Sequence, residues 1–474
     1  MKWDRLASPT RGIVNMIETT SASNARISAA IKRATLLQLI GITYCMVAGG
    51  PYGLEDLVSA AGYRTAILLL IITPLFWSFP VTLMVSELST AIPQDGGYYI
   101  WVRRAMGPFW GFQEAWLSLA ASVFDMALYP TTFILYLSRI WPAAGSGTLS
   151  IWIGVGLIAA CVTINLLGIR LVGVGSVAMT LALLLPFVVL VVLGFCLHGQ
   201  VAAALPSASA VKISWIDGIY VVMWNYMGWD NASTIAGEVD RPQRTYPLAM
   251  LVSVLLVAIT YVIPVAAAAR SGIAPEHWDT GSWVDAGRIV GGWINSRAGQ
   301  ALAIAITAGG MISAFSMFNA LILSYSRVPV AMADDGFLPR FMSLRTRRTG
   351  VPWVAIISCA ILWGIFIRLG FEQLLLLDAT LYGLSLIIEF LALIALRIRE
   401  PDLQRPYKLP CGIPGCILIT LGPVLVMCLA FYKGLSDEGA RRGLIISAIL
   451  TAAGILLYFA AKWINPRIKT SVGS

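Results

Sequence analysis

Charge is scarce in this chain. Of its 474 residues, 33 are Lys or Arg and 24 are Asp or Glu, 12% together, against 58% from the hydrophobic set and a mean hydropathy of +0.80. Soluble globular chains carry roughly 25% charged residues. Too little polar surface is present to wrap soluble domains of this length, and the composition is that of an integral membrane protein. Histidine is nearly absent: His198 and His277 are the two in the chain, both between apolar runs, which argues against His-based metal or acid–base chemistry. The seven cysteines lie mostly inside apolar runs. Cys411 and Cys416, in a polar loop, have no second pair at zinc spacing, so neither a disulfide framework nor a metal site is expected. HExxH, P-loop and G-x-S-x-G sequences are missing, and with them the signatures of a membrane enzyme. Glycine patterns at 154–159 and 173–178 match a dinucleotide fingerprint loosely, but neither follows a soluble strand. They read as small residues for helix packing.

Long apolar runs are what the chain has instead. They fall near 35–60, 66–91, 108–140, 149–168, 171–197, 214–237, 246–269, 300–332, 352–369, 372–396, 413–433 and 443–463. At about 20 to 25 residues per crossing, this pattern predicts twelve transmembrane helices in an all-α membrane fold. Residues 1–34 are polar with no apolar h-region, so a cytoplasmic tail is expected there rather than a cleavable signal peptide. Residues 464–474 are expected to form a second cytoplasmic tail. Counting basic residues on alternate sides puts 22 of the 33 on the side of both termini, which predicts a cytoplasmic location for them. The net charge of +9 thus reports topology; the basic residues are too scattered to suggest nucleic acid.

Two spans carry interruptions at equivalent depth. Span 1 holds Ala48-Gly49-Gly50-Pro51-Tyr52-Gly53, followed by Leu54-Glu55-Asp56, and span 6 holds Asn225-Tyr226-Met227-Gly228-Trp229-Asp230-Asn231. Gly permits unusual backbone angles and Pro51 removes a donor. The breaks lie 178 residues apart, measured from Gly50 to Gly228, each opening a block of five spans. Five is odd, so the second block enters the membrane from the opposite side. This is the expectation for inverted repeats, over 35–197 and 214–398, whose broken helices 1 and 6 form a midplane substrate site. Two further helices, 413–463, lie outside the repeat.

Freed amides after the first break, at Gly49, Gly50, Tyr52 and Gly53, are predicted to hold a carboxylate at a positive helix end. Carbonyls near Trp224, Asn225 and Gly228 are predicted to hold an amine or a coupling cation. Acidic residues inside spans are costly and need a role. Asp125 and Asp230 are the favoured amine or proton sites; Glu55, Glu114 and Glu389 are candidates for coupling, and Asp378 is weighed mainly as scaffold. Among nearby aromatics, Trp229 and Tyr382 stand out as groups to close over a ligand, beside Tyr52, Phe124 and Trp224. Each of these residues also has a packing or capping reading, Asp230 as a helix cap in particular.

From Thr35 to Pro410 the chain resembles the amino acid-polyamine-organocation transporters. The resemblance rests on Ile92-Pro93-Gln94-Asp95-Gly96-Gly97-Tyr98-Tyr99 with Gly107-Pro108-Phe109-Trp110-Gly111-Phe112, on Gly228-Trp229-Asp230 and Ala236-Gly237-Glu238, and on Glu400-Pro401-Asp402-Leu403-Gln404-Arg405-Pro406-Tyr407. Gly49-Gly50-Pro51-Tyr52-Gly53-Leu54-Glu55-Asp56 and Asp125-Met126-Ala127-Leu128-Tyr129-Pro130 are similar to the polyamine-uptake branch related to L-type amino acid transporters. The resemblance implies a LeuT-like fold and a plasma-membrane permease that moves amino acids or polyamines by alternating access, as symporter or exchanger. It implies no cofactor, with H+ or Na+ as the coupling ion. Span 8 around Phe318-Asn319-Ala320-Leu321 lacks the acids associated with eukaryotic polyamine members, and span 5 lacks the lysine that fills a sodium position in many relatives. A polyamine importer specifically, or a non-transporting sensor of the same fold, are the alternatives. The expected partners are a small-molecule substrate and the lipid bilayer; the oligomeric state is left open.

Overall fold

The structure is a computed structural model and describes residues 33–197, 214–366, 371–436, 438–465 and 468. The expected tails at 1–34 and 464–474 lie outside the described residues except for Arg33, Ala34, Ile464, Asn465 and Ile468. His198 and the end of the ninth expected span, 367–369, also lie outside them.

The described residues are helical throughout, without a β-strand; two isolated bridges, Ala34 to Val239 and Asp95 to Ile235, are the only extended pairings among them. The helices are α1 (Leu36–Val47), α2 (Glu55–Phe76), α3 (Ser78–Ala91), α4 (Gly97–Met106), α5 (Pro108–Ser138), α6 (Gly147–Leu166), α7 (Ile169–Cys196) and α8 (Trp215–Asn225). They continue as α9 (Pro242–Ala268), α10 (Trp283–Gly292), α11 (Ser296–Asp334), α12 (Trp353–Ile365), α13 (Phe371–Arg399), α14 (Gly412–Ser436) and α15 (Glu438–Ile464). Among the described residues, 9 helical segments are long and apolar enough to cross a membrane, with α2 and α3 counted as one segment of 37 residues. The α1 and α12 segments are shorter apolar helices.

Local chemistry sets several of these boundaries. Thr35 caps α1 in a reciprocal box with Gln38, whose side chain accepts the Thr35 amide at 3.0 Å. Pro108 and Pro242 open α5 and α9, where their missing N–H is no loss. Asn295 caps α11, accepting the Ala298 amide at 2.9 Å. Within α2 the backbone breaks at Gly62 (φ 69°, ψ 163°), so a short piece of about two turns precedes the long apolar stretch. That break falls in the gap the sequence predicts between its first two spans.

The core sits around α5, which packs against both α11 and α13, and α11 in turn packs against α1 and α7. In α5, 72% of the most apolar window is buried within the protein, against 17% in α15. The first is an interior helix, and the second presents most of its apolar surface outward, as a lipid-facing helix does.

Charged residues gather on one end of the bundle. Arg397 donates to both oxygens of Glu87 at 2.7 and 2.5 Å, while Arg405 approaches Glu87 at 3.2 Å and the Leu409 amide donates to it at 2.8 Å. Arg327 pairs with Glu238 at 2.9 Å, Arg104 with Glu400 at 2.6 Å, and Arg103 with Asp335. The Ala34 amide donates to Glu238 O and the Asn465 side chain to Gly336 O, tying both ends of the described chain to this face. Every segment here lies on one side in the alternate-loop count from the sequence. Residues from the other side meet separately: Tyr63 contacts Trp278, and Arg139 reaches Asp279.

Candidate functional site

Seven residues separate α1 from α2, and four separate α8 from the 3-10 turn Asp230–Thr234, which is followed by the 3-10 turn Ala236–Glu238. The two interruptions touch. Gly53 has φ 92°, and a Cβ there would lie 3.2 Å from the Asn225 side chain and 3.3 Å from the Trp224 ring. Gly228 has φ 94°, and a Cβ would sit 2.8 Å from the Met46 carbonyl. Only glycine combines that left-handed backbone with so close an approach. The Asn225 side-chain amide donates to Gly53 O at 3.2 Å and bridges the two segments.

Buried hydroxyls and indoles satisfy the backbone that the interruptions free, as a dry interior demands. Trp283 donates to Pro51 O at 2.9 Å, Trp77 to Tyr226 O at 3.0 Å, and Tyr261 to Asn225 O at 2.9 Å. Tyr52 points away from its own segment and donates to Ile306 O at 2.8 Å, its ring packed edge-on against Tyr136 and Phe187. The Gly53 amide is taken internally: it donates to Glu55 Oε2 at 2.7 Å. Glu55 is fully buried and also accepts the Tyr136 hydroxyl at 2.6 Å and the Gly281 amide at 3.1 Å. A carboxylate of the chain itself therefore occupies the start of α2, where the helix dipole favours negative charge.

Beside the paired interruptions lies a small cleft. Of the residues singled out in the sequence, Gly49, Tyr52, Asp125, Trp224, Asn225, Gly228 and Tyr382 line it. Gly50, Gly53, Trp229 and Asp230 do not. Trp229 is fully buried with its indole N–H unpartnered. Asp230 stands one step behind the wall, accepting the hydroxyl of Tyr382, which in turn accepts the Gly228 amide at 3.0 Å. Glu55 sits at the foot of α2, whereas Glu114 and Glu389 are fully buried away from the cleft and interact electrostatically with Asp230. Phe124 lies 6.3 Å from the Phe366 ring in a different, apolar groove.

Residues that the sequence reading weighed as scaffold or did not single out complete the wall. Asp378 lines the cleft and receives a side-chain hydrogen bond from Trp224. Tyr129 and Tyr325 donate to the two oxygens of Asp125 at 2.6 and 2.9 Å. Tyr261, Asn231, Met46, Val47, Met227 and Met317 fill the rest. The Tyr129 signal was available, one helical turn from Asp125; Tyr325, from α11, had none. Two carboxylates and five phenols face the cleft, and no Lys, Arg or His is among its lining residues. Such a wall attracts a cation, which carboxylates bind directly and aromatic faces support.

The amino acid permease model matches residues 35–461, nearly the whole described chain. The chain belongs to the amino acid permease family. Within the APC superfamily to which that family belongs, the permease is 34% identical over 410 residues to the polyamine transporter RMV1 of Arabidopsis thaliana, covering 86% of this chain and 82% of that protein. It is 31% identical over 452 residues to the polyamine transporter PUT1 of Oryza sativa subsp. japonica, covering 92% and 80%. Against the serine/threonine exchanger SteT of Bacillus subtilis it is 25% identical over 390 residues, covering 80% and 85%. Its fold is that of MhsT, solved in complex with L-phenylalanine: TM-score 0.59, 16% identity, 86% of this chain and 99% of that chain. The permease is a multi-pass membrane protein and a secondary transporter with a LeuT-type fold.

Proposed function

We propose that this permease carries a small organic polyamine, of the putrescine or spermidine kind, into the cell across the plasma membrane. The observation that carries the reading is Glu55. Its carboxylate already takes the Gly53 amide at 2.7 Å, in the place where the sequence argument puts a substrate carboxylate. An amino acid must compete with that internal anion, while an amine without a carboxylate need not. Asp125 and Asp378 in the cleft wall then provide two anionic contacts for a cargo with separated positive charges. The names of the Arabidopsis and rice relatives agree with this choice of substrate. The SteT likeness favours the second reading, a neutral amino acid.

In this account the chain crosses the membrane twelve times with both termini in the cytoplasm. The first crossing runs from α1 through residues 48–54 to Gly62, and the sixth from α8 through the turns ending at Glu238. The cargo site lies between these two interrupted helices, 35–197 and 214–398 are the inverted five-helix repeats, and α14 and α15 are additions. Alternating access is a rocking of the repeats about this site, and the work of concentrating the amine comes from a coupled ion or from exchange. The family and fold support a permease rather than an enzyme. Thermal unfolding of the purified protein tests cargo choice: a ligand that binds only the folded state at 100 times its Kd stabilises it by about 2.7 kcal/mol. Putrescine and spermidine are expected to raise the midpoint and leucine to leave it unchanged; stabilisation by leucine alone transfers support to the amino acid reading.

A further inference from the structure

Behind the cleft, three acids from three different segments meet in the interior. Glu389 is on α13, seven residues beyond Tyr382 and therefore on the same helix face. It is fully buried, and neither of its oxygens has a hydrogen-bond partner. Glu114 of α5 is equally buried; its Oε1 accepts the Ser118 hydroxyl at 2.7 Å, and its Oε2 has no partner. Asp230 is the third, and the three interact electrostatically with one another.

The surroundings supply no counter-ion. From α4, Tyr98 faces all three acids, fully buried and with no hydrogen-bond partner of good geometry for its hydroxyl. Tyr99 of α4 also senses Glu114, but its hydroxyl is given to Asp335, which Arg103 holds. On α3, Glu87 is paired with Arg397 and Arg405. Among the described residues, no Lys or Arg ion-pairs with Glu389, Glu114 or Asp230. An ionised carboxylate left alone in a dry interior is prohibitively costly, whereas a proton turns it into a donor as well as an acceptor.

We propose that Glu389 and Glu114 form the proton-carrying site of this permease, set behind the amine cleft and joined to it through Asp230 and Tyr382. The inference rests on the proposed amine transport and adds its driving ion. One proton binds the Glu389–Glu114 pair from outside and leaves it to the inside, with no covalent bond to the cargo made or broken. Tyr382 is the connecting element, because it lines the cleft, donates to Asp230 and accepts the Gly228 amide. A cation arriving at Tyr382 alters the hydrogen bond to Asp230, and Asp230 acts on the charge of the pair. Such coupling is reciprocal, so the proton also changes the affinity for the amine.

Two readouts on reconstituted full-length protein separate this proposal from the reading beneath it. Counterflow of labelled putrescine without an ion gradient tests the cargo; its absence in the unaltered protein would remove the amine reading. Infrared difference spectroscopy tests the site without cargo: the carbonyl stretch of a protonated carboxylic acid is expected at neutral pH and is expected to weaken in Glu389→Gln. In transport, Glu389→Gln is expected to keep counterflow and to lose putrescine accumulation driven by an inward proton gradient by at least tenfold. Glu114→Gln is expected to act in the same direction and carries the test if Glu389→Gln does not fold. An unchanged infrared band in both variants, undiminished proton-driven accumulation in both, or accumulation that follows sodium instead would each overturn the proposal.

Discussion

The backbone amide of Gly53 donates to Glu55 Oε2 at 2.7 Å, closing the start of α2 with a carboxylate from two residues away. The geometry turns a potential anion receptor into a satisfied one, and Glu55 becomes a determinant of what the cleft accepts. Hydrogen bonds to charged groups contribute about 1.5–3 kcal/mol, and 1.4 kcal/mol is tenfold in affinity. Glu55→Gln is therefore expected to reduce the preference for putrescine over ornithine, which adds a carboxylate to the same two amines, by about tenfold or more. Inhibition of labelled putrescine uptake by each compound reads this ratio, and an unaltered ratio would remove Glu55 from the selectivity account.

Asp125 and Asp378 are expected to hold the cargo's positive ends. Truncating one partner of a buried charge pair costs about 2–5 kcal/mol, so Asp125→Asn is expected to weaken putrescine uptake at least about thirtyfold. Asp378→Asn should act similarly and should weaken longer amines most. Full uptake by the Asp125→Asn protein, measured against expression level, would contradict the role given to this side chain.

At the charged end of the bundle, Glu87 is wholly buried between Arg397 and Arg405. Removing one partner of a buried ion pair costs about 3–5 kcal/mol because the other charge is stranded. Glu87→Gln is expected to lower the thermal midpoint in detergent markedly. Arg288→Ala, which breaks an exposed pair with Asp285, should leave it nearly unmoved. Equal midpoints for the two variants would show that the Glu87 cluster contributes no more than a surface pair.

Outside the membrane, Arg104 donates to both oxygens of Glu400 at 2.9 and 2.6 Å and holds its carboxyl below the usual range of 4.5, against a weaker opposing effect of burial. An acid with a lowered folded-state pKa stabilises the fold above its unfolded value, and that contribution disappears as pH falls through the folded one. The midpoint difference between the unaltered protein and Glu400→Gln should be present at neutral pH, shrink below about pH 4.5 and be smaller in high salt. Thermal scans across pH check this; a difference that grows on acidification contradicts it.

The helical membrane fold was legible because composition and run length are strong signals. The α1–α2 interruption was legible as Gly-Gly-Pro-Tyr-Gly, since few other sequences need so many special backbone angles. Harder to see was that the second interruption resumes as 3-10 turns, Asp230–Thr234 and Ala236–Glu238, rather than as an α-helical half: spacing does not distinguish the two. At the site, sequence arguments could find acids in apolar runs but not which acids share a wall. Asp378 reaches the cleft because α13 packs against α5, a tertiary fact with no local signature. Glu55 was legible as a buried acid, but its grip on the Gly53 amide depends on a turn geometry that only coordinates reveal.

The central claim, that an amine without a carboxylate is the cargo, meets its most direct test in counterflow. Proteoliposomes loaded in turn with unlabelled putrescine, arginine or leucine are given the same compound labelled outside, with no ion gradient. The account predicts that labelled putrescine accumulates and that labelled leucine and arginine stay at the level of protein-free vesicles. Accumulation of leucine with none of putrescine would contradict it.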